Sequence, residues 1–265
     1  MERRSTRIAL WIWVALVLAF LYVPILIICL YAFNTSNVQS WPIAGLSFKW
    51  FGPAIHDPDM QAALELSLKA AALATTVALV LGTMASFGVH RYRFFGREAV
   101  SFLLVLPIAL PGIITGMALN SYFTYWKLNF GLLTIVIGHA TFCVVVVYNN
   151  VVARLRRVPG SLTEASMDLG ADGLQTFRHI TFPTISTALI SGGLLAFALS
   201  FDEVIVTTFT AGAQNTLPIW IFGQIRLGQQ LPQVNVVVFL ILIVTVIPVA
   251  LAQRLTSESG ILRTE

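Results

Sequence analysis

Asp202 and Glu203 stand side by side in an otherwise apolar run, Ser200-Phe201-Asp202-Glu203-Val204-Ile205. A charged side chain at mid-membrane depth costs roughly 2.5–3.5 kcal/mol on insertion scales, so such a pair must face water or a cation. Successive helical residues point about 100° apart. The two carboxylates therefore have different tasks, one lining a path for a cationic solute and the other paired with a neighbouring helix, unless partner side chains or outer water satisfy both. His139 is a second titratable group in an apolar segment, and there an interhelical hydrogen bond is the expected role rather than a ligand or proton relay. Other chemistries lack their residues. A phosphate-binding loop needs Gly-Lys followed by Ser or Thr, and no Gly-Lys pair occurs. Paired-histidine metal motifs, Gly-x-Ser-x-Gly and Cys-x-x-Cys are absent too, so neither a catalytic residue nor a metal ligand is assigned. A membrane hydrolase built on His139 and a helix serine would rest on scattered residues only.

The richest polar stretch is residues 161–183, SLTEASMDLGADGLQTFRHITFP, set between long apolar segments. Ser161 and Glu164 have capping-box spacing, which predicts a helix start at Ser161. Leu162, Ala165, Ser166 and Leu169 recur at i, i+3, i+4 and i+7, gathering small and apolar side chains on one stripe. Gly170 can take the left-handed conformation that ends a helix. Asp172 and Gln175 repeat the capping signature for a second helix carrying Leu174, Phe177 and Ile180, and Pro183 marks a break or kink. The expectation is helix, glycine turn, helix, with an apolar stripe that needs a partner.

At these residues the sequence resembles the cytoplasmic signature of ABC importer permeases, Glu-Ala-Ala, three residues, Gly, nine residues, Ile-x-Leu-Pro. It stands here as Glu164-Ala165-Ser166, Gly170 and Ile180-Thr181-Phe182-Pro183 with its spacing intact. Ser166 replaces the usual alanine and Phe182 the usual leucine. The resemblance implies that Glu164, Ala165, Ser166, Leu169, Gly170, Ile180 and Pro183 form a coupling helix seated in a groove of an ATP-hydrolysing subunit. It extends over nearly the whole chain and is nearest to the spermidine/putrescine permease group, through LPIALPGIITGMAL, the coupling stretch and SFDEVIVTTFTAG. What it implies is a type I importer permease, paired with a second homologous permease, two ATPase subunits and an extracytoplasmic substrate-binding protein. ATP and Mg would be used by the ATPase, and this chain would bind no cofactor. The motif is silent on cargo, so a different amine, an opine-like compound or a metal chelate fits it too. A secondary transporter or channel would work without ATP, and no internal repeat of the kind common in such proteins is visible.

The elements that position these residues follow from composition. With 57% hydrophobic residues, 11% charged residues and a mean hydropathy of +0.83, the chain has about half the charge of a soluble domain. Apolar segments of about 20 residues mark spanning helices. Six are expected, at residues 8–31, 70–89, 100–121, 132–152, 186–207 and 234–253. The fold class is thus an all-α membrane protein. Expected divisions are 1–60 (first helix and outer loop), 61–253 (permease core) and 254–265 (tail).

With the N-terminus inside, 12 of the 16 basic residues fall on the cytoplasmic face, leaving Lys49, Lys69, Lys127 and Arg226 outside. The positive-inside rule then puts both termini and the polar stretch in the cytoplasm of a multi-pass inner-membrane protein. That bias accounts for the net charge of +4 without nucleic acid. The first apolar run exceeds a signal-peptide core and has no small-residue cleavage site after it, so it is read as helix one.

Residues 34–68 carry the turn signals Trp41-Pro42, Gly52-Pro53 and Asp57-Pro58 and read as an outer segment. Trp41, Trp50 and Phe51 there suit either interface anchoring or a landing surface for a delivery protein. Pro107, Pro111 and Gly112 predict a kinked third helix facing the interior, as a static bend or a moving constriction. Trp220 lies in an expected short interfacial helix. Cys29 and Cys143 sit at different expected depths, so both are expected free.

Overall fold

The structure is a computed structural model describing residues 4–228 and 230–245. Among these residues it is helical, with one isolated bridge between Asn34 and Leu46 and no named strand. The order is α1 (Arg4–Ala32), α2 (Phe51–Ile55), α3 (Pro58–Arg91), α4 (Arg97–Ala109), α5 (Gly112–Tyr125), α6 (Leu132–Leu155), α7 (Gly160–Asp168), α8 (Gly173–Thr176), a π turn (Phe177–Thr181), α9 (Phe182–Phe201), α10 (Ile205–Thr210), α11 (Leu217–Leu227) and α12 (Leu231–Thr245).

Among the described residues four helices are long and apolar enough to cross a membrane: Thr6–Ala32, Pro58–Arg91, Leu132–Leu155 and Gly173–Phe201. They match the first, second, fourth and fifth expected spans, with shifted ends. The third is not a single kinked helix. Arg97–Ala109 and Gly112–Tyr125 meet at 102°. The cause is local: Leu110, which precedes Pro111, is extended (ψ 141°) because the proline ring disfavours helical geometry in the residue before it. Of the sixth expected span, Leu231–Thr245 is helical, and its remainder lies outside the described residues, as do the expected tail, Arg3, Arg254 and Arg263.

The second span begins earlier than its apolar pattern. Asp57-Pro58 is a helix start rather than a loop turn: the Asp57 carboxylate accepts from the backbone N–H of Met60 at 2.9 Å, and Pro58 occupies the first helical position, where its missing N–H costs nothing. The i,i+4 ion pair of Glu65 and Lys69 lies on this extension.

The chain divides into two compact units, Ala62–Trp220 and the segments flanking it. In the flanking unit Phe33, Phe48, Phe51 and Phe239 form an aromatic cluster with ring centroids 5.0–6.0 Å apart. Trp50 donates from its indole N–H to the Asn34 carbonyl (2.9 Å), and Trp50 and Phe51 are half-buried, while Trp41 is 79% exposed. In the unit Ala62–Trp220 the core lies along α6. Cys143, Val147, Val151 and Leu155 pack with Ala78 of α3 and with Ile185 and Ala196 of α9, and Ala70, Ile135 and Ala211 form a second cluster. Small residues of α3, among them Ala70, Ala71, Ala74 and Ala78, are buried, as close helix packing in lipid requires. Both cysteines are free.

Candidate functional site

Two features of the unit Ala62–Trp220 hold the residues singled out by the sequence. They are a helical hairpin at one end and a pair of broken helices further along.

The hairpin is α7, a glycine turn, and α8 running into the π turn. α7 starts at Gly160 after Pro159, one residue before the expected start, and no side chain caps it. Ser161 is therefore inside the helix and its capping box with Glu164 does not form. The extended Pro159 (φ −62°, ψ 131°) takes the cap position instead. The helix ends as expected. Gly170 has φ +85°, and the Gly170 and Ala171 amides donate to the Met167 and Ser166 carbonyls at 2.9 and 3.1 Å, a Schellman ending. Asp172 and Gln175 form the expected reciprocal box at 2.8 and 3.0 Å. The two arms are joined by Ser166 Oγ and Thr176 Oγ1, 3.0 Å apart, so the serine at a position where alanine is usual supports the hairpin.

Ala165, Ser166, Leu169 and Ile180 line one groove of about 470 Å³ together with Leu162 and Gln175. Leu169 is 90% exposed and Leu174 76% exposed. Glu164 is exposed beside this groove rather than in it. Pro183 does not end the helix. The chain rewinds through the π turn, in which the Phe182 amide reaches back to the Phe177 carbonyl, and Pro183 falls in the first turn of α9, where it owes no hydrogen bond. Gly173–Phe201 is therefore one rod of 29 residues, about 43 Å long at 1.5 Å per residue. It connects the groove to Asp202.

Asp202 and Glu203 are not within a spanning helix. α9 stops at Phe201, Asp202 is its C-cap, and α10 begins at Ile205. The Glu203 carboxylate accepts from the Val206 N–H at 2.9 Å and so caps α10. Asp202 is exposed, and among the described residues no protein group bonds its carboxylate. The two carboxylates thus differ in their surroundings, at a helix break rather than on two faces of a helix, and Glu203 is held by the local Val206 amide rather than by a neighbouring helix.

The break is clamped by His139, 1% exposed, from α6. Its Nδ1 lies 2.7 Å from Ser200 Oγ on one side of the break and its Nε2 lies 2.8 Å from Thr207 Oγ1 on the other. Thr207 commits its only hydroxyl proton to the Glu203 carbonyl (2.6 Å). The ring therefore donates from Nε2 and accepts the Ser200 hydroxyl proton at Nδ1. This is the interhelical bond expected of His139. Its two specific partners had no sequence signal, because they are 61 and 68 residues away.

The second broken pair abuts the first. Gly112 begins α5 against Ile205, with 3.5 Å from its ideal Cβ position to Ile205 Cγ2. A Cβ on Gly116 would come within 2.5 Å of Phe209 Cδ2, and Asn120 donates to the Phe209 carbonyl at 2.7 Å. Pro111 caps α5 at the break, and Pro107 lies inside α4 away from these contacts. The structure thus brings Gly112 and the Asp202–Glu203 break to one locus. The hairpin residues stand at the other end of the rod.

Comparison with known proteins bears on the whole chain. A family model for binding-protein-dependent transport system inner membrane components matches residues 70–257. The putrescine transport system permease protein PotI of Escherichia coli (strain K12) is 40% identical over 232 residues, covering 84% of this chain and 82% of the relative. The spermidine/putrescine transport system permease protein PotC of Haemophilus influenzae is 30% identical over 246 residues, covering 92% and 95%. A crystal structure of a bacterial ABC transporter involved in the import of the acidic polysaccharide alginate aligns with a TM-score of 0.73 over 96% of this chain and 98% of that one. At 17% identity the likeness is one of fold.

Proposed function

The chain belongs to the family of binding-protein-dependent transport system inner membrane components, and from that membership we propose that it is the permease subunit through which a separate ATPase drives inward passage of a polyamine. The observation that carries the coupling is the continuous rod Gly173–Phe201. A groove lined by Ala165, Ser166, Leu169 and Ile180 lies at its start, and the carboxylate break lies at its end. A displacement imposed on the hairpin reaches Asp202 without crossing a loop. The groove has the shape and apolar character to take a side chain or helix end from the ATPase, with Glu164 and Gly170 setting the hairpin's edge and turn, and Pro183 setting the π-wound joint.

In this reading the chain performs no chemistry on ATP. Nucleotide and Mg are used by the partner ATPase, a reading supported by the missing Gly-Lys pair. The full assembly is a second homologous permease, two ATPase subunits and an extracytoplasmic binding protein, with both termini and the hairpin on the cytoplasmic face. Asp202 attracts one ammonium group of the cargo, because among the described residues its carboxylate has no protein partner to give up. Glu203 holds α10 in place. Gly112 and Pro111 let α5 bend around that locus and act as the constriction. The polyamine assignment takes its support from two relatives whose names specify putrescine and spermidine.

The test is uptake of labelled putrescine by the full complex in proteoliposomes with internal and external nucleotide varied. Asp202→Asn is expected to lower uptake at least tenfold, the loss of about 1.4 kcal/mol. Unchanged uptake in Asp202→Asn would remove the carboxylate from the path, and a complex stimulated only by a binding protein for another solute would replace the cargo.

A further inference from the structure

At the hairpin end of the bundle, Asn149, Asn150, Arg154 and Arg157 of α6 and its C-terminal extension face Thr187 and Ser191 of α9 across a slot of about 430 Å³. Of its residues only Arg154 also braces the rod, through its bond to the Thr184 carbonyl. Positions 150, 154 and 157 recur at i, i+4 and i+7, and 187 and 191 at i and i+4, so each helix turns one polar stripe to the other. Polar side chains along spanning helices do not face acyl chains without reason. Their own needs are partly met inside the protein. The Asn150 amide donates to Val146 O at 2.9 Å and the Ser191 hydroxyl to Thr187 O at 2.8 Å.

The guanidinium groups differ. Arg154 donates from Nε to the Thr184 carbonyl at 2.9 Å, which fixes its plane and leaves both terminal amino groups without a partner among the described residues. Arg157 has no side-chain hydrogen bond among the described residues, where the sole ion pair is Glu65–Lys69 on α3. The slot holds two positive charges, hydroxyl and amide groups, and no acid. A cation is repelled there. A compact anion with several oxygens is attracted, because guanidinium forks bind phosphate and carboxylate bidentately.

We propose that this slot binds a phosphate-type anion, and that its source is the headgroup of an anionic lipid. The depth fits, since the arginines flank the last turn of a spanning helix, where headgroups lie and basic pockets between helices take them up. The inference is independent of the cargo. It would tie hairpin stability to membrane composition, because the slot borders both α9 and the segment leading into α7.

Native mass spectrometry of the purified full chain, titrated with phosphatidylglycerol, phosphatidylcholine and inorganic phosphate, tests it. Phosphatidylglycerol is expected to bind about tenfold more tightly than phosphatidylcholine, and Arg154→Gln/Arg157→Gln to abolish that preference. Arg157→Gln alone leaves the Arg154–Thr184 bond in place and is expected to weaken binding severalfold with an unchanged melting temperature. Arg97→Gln, on α4 outside the slot, is expected to change nothing. Phosphate competing at millimolar concentration without a lipid preference would support the anion site and reassign its source. Equal binding of both lipids with no phosphate competition, or binding indifferent to the arginine substitutions, would overturn the proposal. So would protection of Arg157 by a carboxylate of the partner permease in the assembled complex.

Discussion

At the scale of single residues, the two adjacent carboxylates differ in what their loss removes. Glu203→Gln keeps an oxygen able to accept from Val206 and is expected to leave stability within about 0.5 kcal/mol, whereas Glu203→Ala removes the cap of α10 and is expected to cost about 1 kcal/mol. Thermal unfolding of the two variants in the same detergent separates them. Asp202→Asn removes charge and, among the described residues, no side-chain bond, so its effect belongs to uptake and not to melting temperature. His139 bridges Ser200 and Thr207. His139→Ala leaves both hydroxyls buried with one partner fewer and is expected to lower stability by about 2 kcal/mol. The clamp also predicts a raised KM for uptake, because the Asp202 break loses its fixed geometry. A variant with unaltered KM and melting temperature would show that the clamp is idle. Gly116→Ala places a methyl 2.5 Å from Phe209 Cδ2 and is expected to cost about 1–3 kcal/mol through overpacking.

At the scale of elements, the hairpin was legible because its signals are local. Gly170 as a left-handed stop and Asp172 with Gln175 as a cap each act within a few residues, and both formed as expected. The start of α7 shifted because Ser161 and Pro159 are both competent caps two residues apart, and a sequence does not rank them. Asp57-Pro58 illustrates the same ambiguity, since aspartate before proline opens a turn or a helix with the same chemistry. The breaks were less visible. Hydrophobicity runs on past Asp202 into Val204 and Ile205, so the pattern reads as one helix, while the packing of α10 against α5 and α6 decides otherwise. The third span carried the clearer sign in Pro111, yet a proline specifies a departure from helix and not the 102° that packing sets. Gly170→Ala tests the hairpin turn. With φ at +85° and nothing within 4 Å of an added Cβ, it is expected to cost about 1 kcal/mol of backbone strain alone. Limited proteolysis at the α7–α8 turn should register it as faster cleavage.

At the scale of the whole molecule, a lever is useful only if it is stiff and fixed along its length. The rod from Gly173 to Phe201 lies on α6 through Ile185 and Ala196, is held by the Arg154–Thr184 bond beside Ile185, and meets α3 where Phe177 packs edge-on against Phe87 at 5.8 Å. At its far end α9 and α10 are separate helices joined at the carboxylates and pinned across the break by His139. The family and the all-helical character were readable from the spacing of a few motif residues and from hydropathy. The unbroken winding of the rod was not, since it depends on Pro183 being absorbed by a π turn. The most direct measurement is nucleotide-driven putrescine uptake by the complete complex in proteoliposomes carrying Leu169→Glu, which places a charge in the groove without disturbing any buried contact. Uptake is predicted to fall to the level seen without nucleotide while the chain's melting temperature is unchanged. Uptake at the wild-type rate would contradict the hairpin's role as the coupling element.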